Sequence, residues 1–140
     1  MAKYVAENTI KSLIKAEKQI KGAKVALMGL TFKENCPDTR NTKVIDIIEE
    51  LKEYGIEVLI YDPVADEKEA FEHYGIKLNS KEDLKDVDAV VTAVAHNELK
   101  NITLDDIESM FTEGSKVLID IKGMYDKKEA QNRGLIYWRL

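Results

Sequence analysis

The sequence predicts an α/β domain: a doubly wound, mainly parallel sheet with helices on both faces, a Rossmann-like three-layer sandwich preceded by an N-terminal helix. Short apolar runs alternate with amphipathic segments of helical period, the pattern of βαβ units. The runs are rich in Val, Ile, Leu and Ala, as in strands covered on both faces. With 140 residues, 44% hydrophobic and 34% charged, the chain has enough for one core and little room for a second.

Each element has its own signal. Residues 3–21 carry Ala6, Ile10, Leu13, Ile14 and Glu17 at helical spacing, with Lys18 and Lys21 at the negative end of the dipole and Gly22 as the stop. No capping residue precedes this helix, which fits either a helix native to the domain or the end of a longer element. Lys24–Gly29 is the first strand, and Val44, Ile47, Ile48 and Leu51 mark one face of a helix over Thr42–Tyr54 that Gly55 stops. Glu57–Tyr61 is the second strand, closed by Asp62-Pro63. Asp66 with Glu69 forms a capping pair for a helix that runs to Tyr74 and ends at Gly75. A short third strand is expected at Ile76–Leu78, a helical turn at Ser80 and Asp83, and a fourth strand at Asp88–Val94. Thr103 with Asp106 caps a helix bearing Leu104, Ile107 and Phe111, Lys116–Ile121 is the fifth strand, and Ile136–Leu140 the last.

Composition excludes several classes. There is no internal repeat or low-complexity tract, and no apolar run approaches the length that spans a bilayer. The opening residues lack the apolar region of a secretion signal, and Cys36, the single cysteine, can form neither an intrachain disulfide nor an all-cysteine metal site, so a cytoplasmic location is expected. The net charge of −5 is uneven: five lysines against two glutamates give the first 21 residues +3, which leaves −8 to the rest. An acidic body is a poor nucleic-acid binder, so any phosphate recognition is local.

In a doubly wound sheet, ligands sit beyond the carboxyl ends of the strands where strand order reverses, which directs attention to the segments after the first, fourth and fifth expected strands. After the first, Gly29 stands alone where a dinucleotide cradle needs Gly-x-Gly-x-x-Gly, so the domain is not expected to hold NAD by itself. Asp62 ends the second strand where a ribose-binding acid could stand, although Asp62-Pro63 also simply makes a turn. Lys33, Arg40 and Lys43 surround a helix N-terminus, Phe32 offers an aromatic face, and Lys122 follows the fifth strand at the same sheet edge, together an anion site. The same residues also read as a solvated loop in which Arg40 pairs with Asp38 and Phe32 enters the core. Cys36 has no histidine or carboxylate arranged to activate it. His96 and His73 have no helical partner and make no metal pair; His96 follows the fourth strand, where a ligand contact is open to it, and His73 faces solvent.

The segment Val25-Ala-Leu-Met-Gly-Leu-Thr-Phe-Lys-Glu-Asn-Cys-Pro-Asp-Thr-Arg-Asn41 resembles the start of the C-terminal, UDP-binding domain of the UDP-glucose/GDP-mannose dehydrogenase family. Tyr61-Asp62-Pro63, Asp88-Ala89-Val90, Asp120-Ile121-Lys122-Gly123 and Tyr137-Trp138-Arg139-Leu140 follow in the family's order, and the Asn-Cys-Pro-Asp loop and the ending look most like the branch that oxidises UDP-N-acetylhexosamines, mannosamine and galactosamine among them. The resemblance implies an NAD-dependent enzyme that takes a sugar C6 alcohol to a carboxylate through a cysteine-bound intermediate, homo-oligomeric at full length. It implies that residues 1–22 end a central helical linker and dimerisation region and that 23–140 bind the UDP-sugar. Phe32, Lys33 and Lys122 then correspond to substrate-contacting positions, and Arg40 to one that reaches NAD across a domain interface. The nucleophilic cysteine and the NAD fingerprint belong to missing N-terminal and central domains, Cys36 does not inherit that role, and the fragment alone is expected to be inactive, with no catalytic or metal-binding residue. The alternative is a stand-alone Rossmann-like nucleotide-binding or regulatory module without dehydrogenase activity.

Overall fold

The computed structural model describes residues 1–140. Five strands, β1 (Lys24–Met28), β2 (Glu57–Tyr61), β3 (Ala89–Thr92), β4 (Val117–Asp120) and β5 (Ile136–Arg139), form one parallel sheet in the order β2-β1-β3-β4-β5. The chain goes from β1 to β2 on one side and returns past β1 to β3 on the other. Strand order therefore reverses between β1 and β3, and the crevice of a doubly wound sheet opens there.

Alternate residues of each strand serve two cores even though both faces are apolar. Val25 and Leu27 of β1, with Val91 and Ile119, pack under α1 (Ala2–Lys15) and α2 (Val44–Glu53), meeting Val5, Leu13, Ile48 and Leu51. Ala26 and Met28, with Val90 and Leu118, pack under α4 (Leu104–Met110) and α5 (Lys127–Asn132), meeting Ile107, Met110 and Ala130. Burial of these side chains is the main favourable contribution to folding. Ala70 of α3 (Glu67–Tyr74) joins the first cluster. Tyr4 of α1 stands edge-on to Trp138 of β5, centroids 5.7 Å apart, and ties the first helix to the sheet edge. No helix is long and apolar enough to cross a membrane.

The doubly wound sheet with its preceding helix is as the sequence predicts, and four details differ. The first helix ends at Lys15, not at residue 21. Glu17 takes the left-handed conformation at φ 60°, and the Lys18 and Glu17 amides donate back to the Leu13 and Ile14 carbonyls. This is the paired closure that glycine usually makes, here built on glutamate. Ile76–Leu78 is not a strand: at the β2 edge the Asn79 amide donates to the Ile60 carbonyl at 2.7 Å, and the Asn79 side-chain oxygen accepts the Ile60 N–H at 2.9 Å, where a neighbouring strand would supply a backbone carbonyl. Asp66 caps α3 by accepting the Glu69 amide, but the Glu69 carboxylate turns away to Thr39, so the pair is not reciprocal. Helix α5 is an addition, opened by Asp126, which accepts the Glu129 amide at 3.0 Å. The capping box of Thr103 and Asp106 forms as expected.

Because Glu17 is exposed and sits at φ 60°, Glu17→Gly relieves a left-handed penalty of about 1 kcal/mol and raises the urea midpoint. Gly29 is the opposite case. At φ 101° a Cβ there would stand 2.6 Å from the Val94 nitrogen, so Gly29→Ala lowers stability by about 2 kcal/mol or more in the same assay.

Candidate functional site

The loop between β1 and α2, residues 29–43, is held by its own threonines. Thr31, Thr39 and Thr42 are buried. The Thr31 hydroxyl donates to the Lys33 carbonyl at 2.9 Å and the Thr42 hydroxyl to the Thr31 carbonyl at 3.3 Å, while Thr39 gives both its amide and its hydroxyl to Glu69. Tyr74 adds its hydroxyl to the Thr39 carbonyl at 2.6 Å. A polar loop is thereby packed with its buried groups paired, as a low-dielectric setting requires.

At the root of this loop lies a buried acid. Asp62, at the end of β2, accepts the amides of Leu30 and Thr31 on one oxygen at 2.7 and 3.3 Å, and those of Val64 and Ala65 on the other at 2.8 and 3.0 Å. His96, after β3, brings Nε2 to 2.9 Å of the first oxygen, and both side chains are fully buried. The other imidazole nitrogen, Nδ1, accepts the Asn35 amide at 2.9 Å. A nitrogen that accepts carries no hydrogen, so the ring is neutral with its proton on Nε2, donated toward Asp62. Burial works to raise the Asp62 carboxyl, but the bonds from His96, Leu30 and Val64 overcome it and hold the group below the ordinary carboxylate range.

A second buried acid stands three strands further along the sheet. Asp120, at the end of β4, accepts the Thr92 hydroxyl at 2.8 Å, the amides of Met124 and Tyr125 at 3.0 and 2.9 Å, and the Tyr137 hydroxyl at 2.6 Å. Burial first, and then the Asp120 carboxylate, push both tyrosine hydroxyls upward.

Between these anchors, at the strand-order reversal, a cleft of about 220 Å³ opens. Its walls are the loop after β1, the start of α2 at Thr42–Val44, Ala93 and Val94 after β3, and Ile121 and Lys122 after β4. Phe32, Lys33 and Lys122 all line it. Phe32 is 56% exposed rather than in the core. The Lys122 ammonium reaches Glu34 across the mouth at 3.7 Å, and Glu34 is held below its ordinary range by its own backbone amide first and by Lys122 after a small opposing cost of burial. Arg40 lies outside the cleft, its guanidinium largely exposed and bonded at 3.0 and 3.2 Å to both oxygens of Asp38. That pairing, with the Arg40 amide, lowers the Asp38 carboxyl to about 2. Cys36 is half-buried in the same loop. The space beside Gly29 is filled by Val94, so the turn after β1 admits no side chain there.

A family model described as the UDP binding domain of the UDP-glucose/GDP-mannose dehydrogenase family matches residues 26–127. The chain belongs to the UDP-glucose/GDP-mannose dehydrogenase family. It is 47% identical to Protein CapL of Staphylococcus aureus over 140 residues, all of this chain and 32% of that protein. With the UDP-N-acetyl-D-glucosamine 6-dehydrogenase of Pseudomonas aeruginosa it shares 41% identity over 133 residues, 95% of this chain and 31% of that one. The solved UDP-N-acetyl-mannosamine dehydrogenase Cap5O from Staphylococcus aureus superposes with a TM-score of 0.68 at 28% identity, over 99% of this chain and 29% of that chain. The chain thus spans about a third of the length of these dehydrogenase relatives.

In this member of the UDP-glucose/GDP-mannose dehydrogenase family, four of the five residues expected at the anion site, Phe32, Lys33, Lys43 and Lys122, meet at one cleft, and Arg40 stands apart. His96 does not touch the cleft; it is sealed behind the loop against Asp62. Asp62 is neither a ribose ligand nor a simple turn former, since its carboxylate binds three segments together. The sequence shows only a histidine after one apolar strand and an acid at the end of another, which does not say that the two face each other.

Replacing Asp62 with Ala leaves four amides and a histidine N–H without their buried acceptor, and costs about 3–5 kcal/mol in denaturant unfolding. Since the folded Asp62 carboxyl lies below its unfolded value of about 3.9, its contribution is complete above that pH and is lost as pH falls through the folded value. Asp62→Asn therefore flattens the fall of stability with acid below about pH 4.

Proposed function

We propose that this domain is the nucleotide-sugar-binding part of an NAD-dependent UDP-sugar 6-dehydrogenase that oxidises the C6 alcohol of a UDP-N-acetylhexosamine to a uronate, a precursor for polysaccharide synthesis. The observation that carries the reading is the cleft at the strand-order reversal, where cations from two separate strand ends, Lys33 and Lys122, converge beside the exposed ring of Phe32. Two ammonium groups next to a helix N-terminus suit a diphosphate, and an aromatic face suits a base or sugar. The relatives named for N-acetylhexosamine substrates support the branch.

The cleft is smaller than the about 300–1,000 Å³ of complete ligand pockets, in keeping with a site finished by other domains of a longer enzyme. On this reading residues 1–22 continue a central helical region, residues 23–140 are the UDP-sugar domain, and the full-length enzyme is a cytoplasmic homo-oligomer. NAD is held mainly by the N-terminal domain, with Arg40 reaching it from this one: the guanidinium is exposed, outside the cleft and fixed in direction by Asp38. The chemistry, with its cysteine nucleophile, belongs to that other part. This domain contributes binding energy from the remote nucleotide, which holds C6 in place for hydride transfer.

Calorimetric titration of the 140-residue chain with UDP, with AMP as the control for nonspecific phosphate binding, gives saturable heat for UDP alone. Lys33→Ala and Lys122→Ala each weaken that binding by about tenfold or more at unchanged melting temperature, the effect of deleting one hydrogen bond to a charged group. Unchanged affinity in both variants overturns the assignment.

A further inference from the structure

The loop that carries Phe32, Lys33 and Glu34 is not self-supporting at its far end. Asn35 sits in the left-handed region at φ 59°, which asparagine adopts more readily than most residues, and the bonds that fix its position come from outside the loop. The restraint comes from the β3 side. The Asn35 amide donates to His96 Nδ1 at 2.9 Å, and the Asn35 side-chain oxygen accepts the Asn97 amide at 2.9 Å. At the near end, Thr31 supports the Lys33 carbonyl and lies 3.1 Å from His96 Nε2. His96 is itself immobilised by Asp62 and excluded from solvent.

We infer that His96 is a positioning residue for the nucleotide site, acting through its Nδ1 bond to Asn35 to hold Lys33 and Glu34 at the cleft. The inference rests on the nucleotide-binding reading above for its ligand, and on the free chain for its geometry. The two ring nitrogens have separate duties: Nε2 belongs to the anchor at Asp62, Nδ1 to the loop. An imidazole is suited to this because one rigid plane fixes both directions at once. A neutral ring is required, since a protonated Nδ1 would turn a second donor toward the Asn35 amide.

The two duties separate by substitution. The side-chain oxygen of Asn can take the place of Nδ1, and the side-chain nitrogen of Gln that of Nε2. His96→Asn therefore keeps the acceptor for Asn35 and loses the donor to Asp62, whereas His96→Gln does the reverse. A merely structural histidine weakens both variants, and His96→Asn the more, because that variant loses a donor to the buried Asp62 carboxylate whereas His96→Gln loses only a neutral bond. Positioning reverses that order. In amide hydrogen exchange followed by NMR on the free chain, Asn35 stays protected in His96→Asn and exchanges at least tenfold faster in His96→Gln. UDP titration then shows affinity within about threefold of wild type for the first variant and at least tenfold weaker for the second. Equal exchange at Asn35 in the two variants, or wild-type UDP affinity in His96→Gln, overturns the role. If the wild-type chain binds no UDP, the nucleotide reading falls, and the exchange of Asn35 alone still decides for or against His96.

Discussion

Five donors converge on the Asp62 carboxylate, and they come from three places: the turn after β1, the turn after β2 and the imidazole after β3. Two of these, the ends of β1 and β3, flank the reversal of strand order. A parallel sheet fixes its strands by ladder bonds but leaves the loops beyond their carboxyl ends to find partners of their own. One buried acceptor for all three loops makes their relative positions a single quantity. The ionised form persists in the interior only because every donor is aimed at it, so the loops hold the charge as much as the charge holds the loops.

Asp120 repeats this arrangement on the other flank of the crevice. Each acid ends a strand, accepts two amides from the turn that follows it, and takes a further bond from a neighbouring element. The cleft therefore lies between two rigid posts. Its variable parts are side chains that rise from firmly tied backbone, the condition under which a binding loop loses little entropy on meeting its ligand.

The sequence made the layers legible because buried parallel strands and stopping glycines leave local marks: Lys24–Met28 and Gly55 could hardly read otherwise. It concealed what depends on distant partners. Glu17 closes α1 in a conformation that nothing in its residue type announces, and the Asn79 side chain stands in for a strand that the apolar pattern of Ile76 and Leu78 suggested. Glu69 has the spacing of a reciprocal cap but finds Thr39 instead, a contact 30 residues away. At the site, the cations and the aromatic ring were readable as residue types next to strand ends. The burial of His96 was not, since a histidine after a strand can point to either side of a loop and only the position of Asp62 decides.

The ion pair across the mouth of the cleft changes the meaning of Lys122. Glu34 serves this lysine as a built-in counterion, 3.7 Å away, in the place that a dissolved anion would otherwise take. A diphosphate that engages Lys122 enters by exchange, displacing a tethered carboxylate rather than a cloud of mobile ions. On the proposed reading, part of the attraction is already satisfied within the domain, and a ligand phosphate would compete with Glu34 for Lys122.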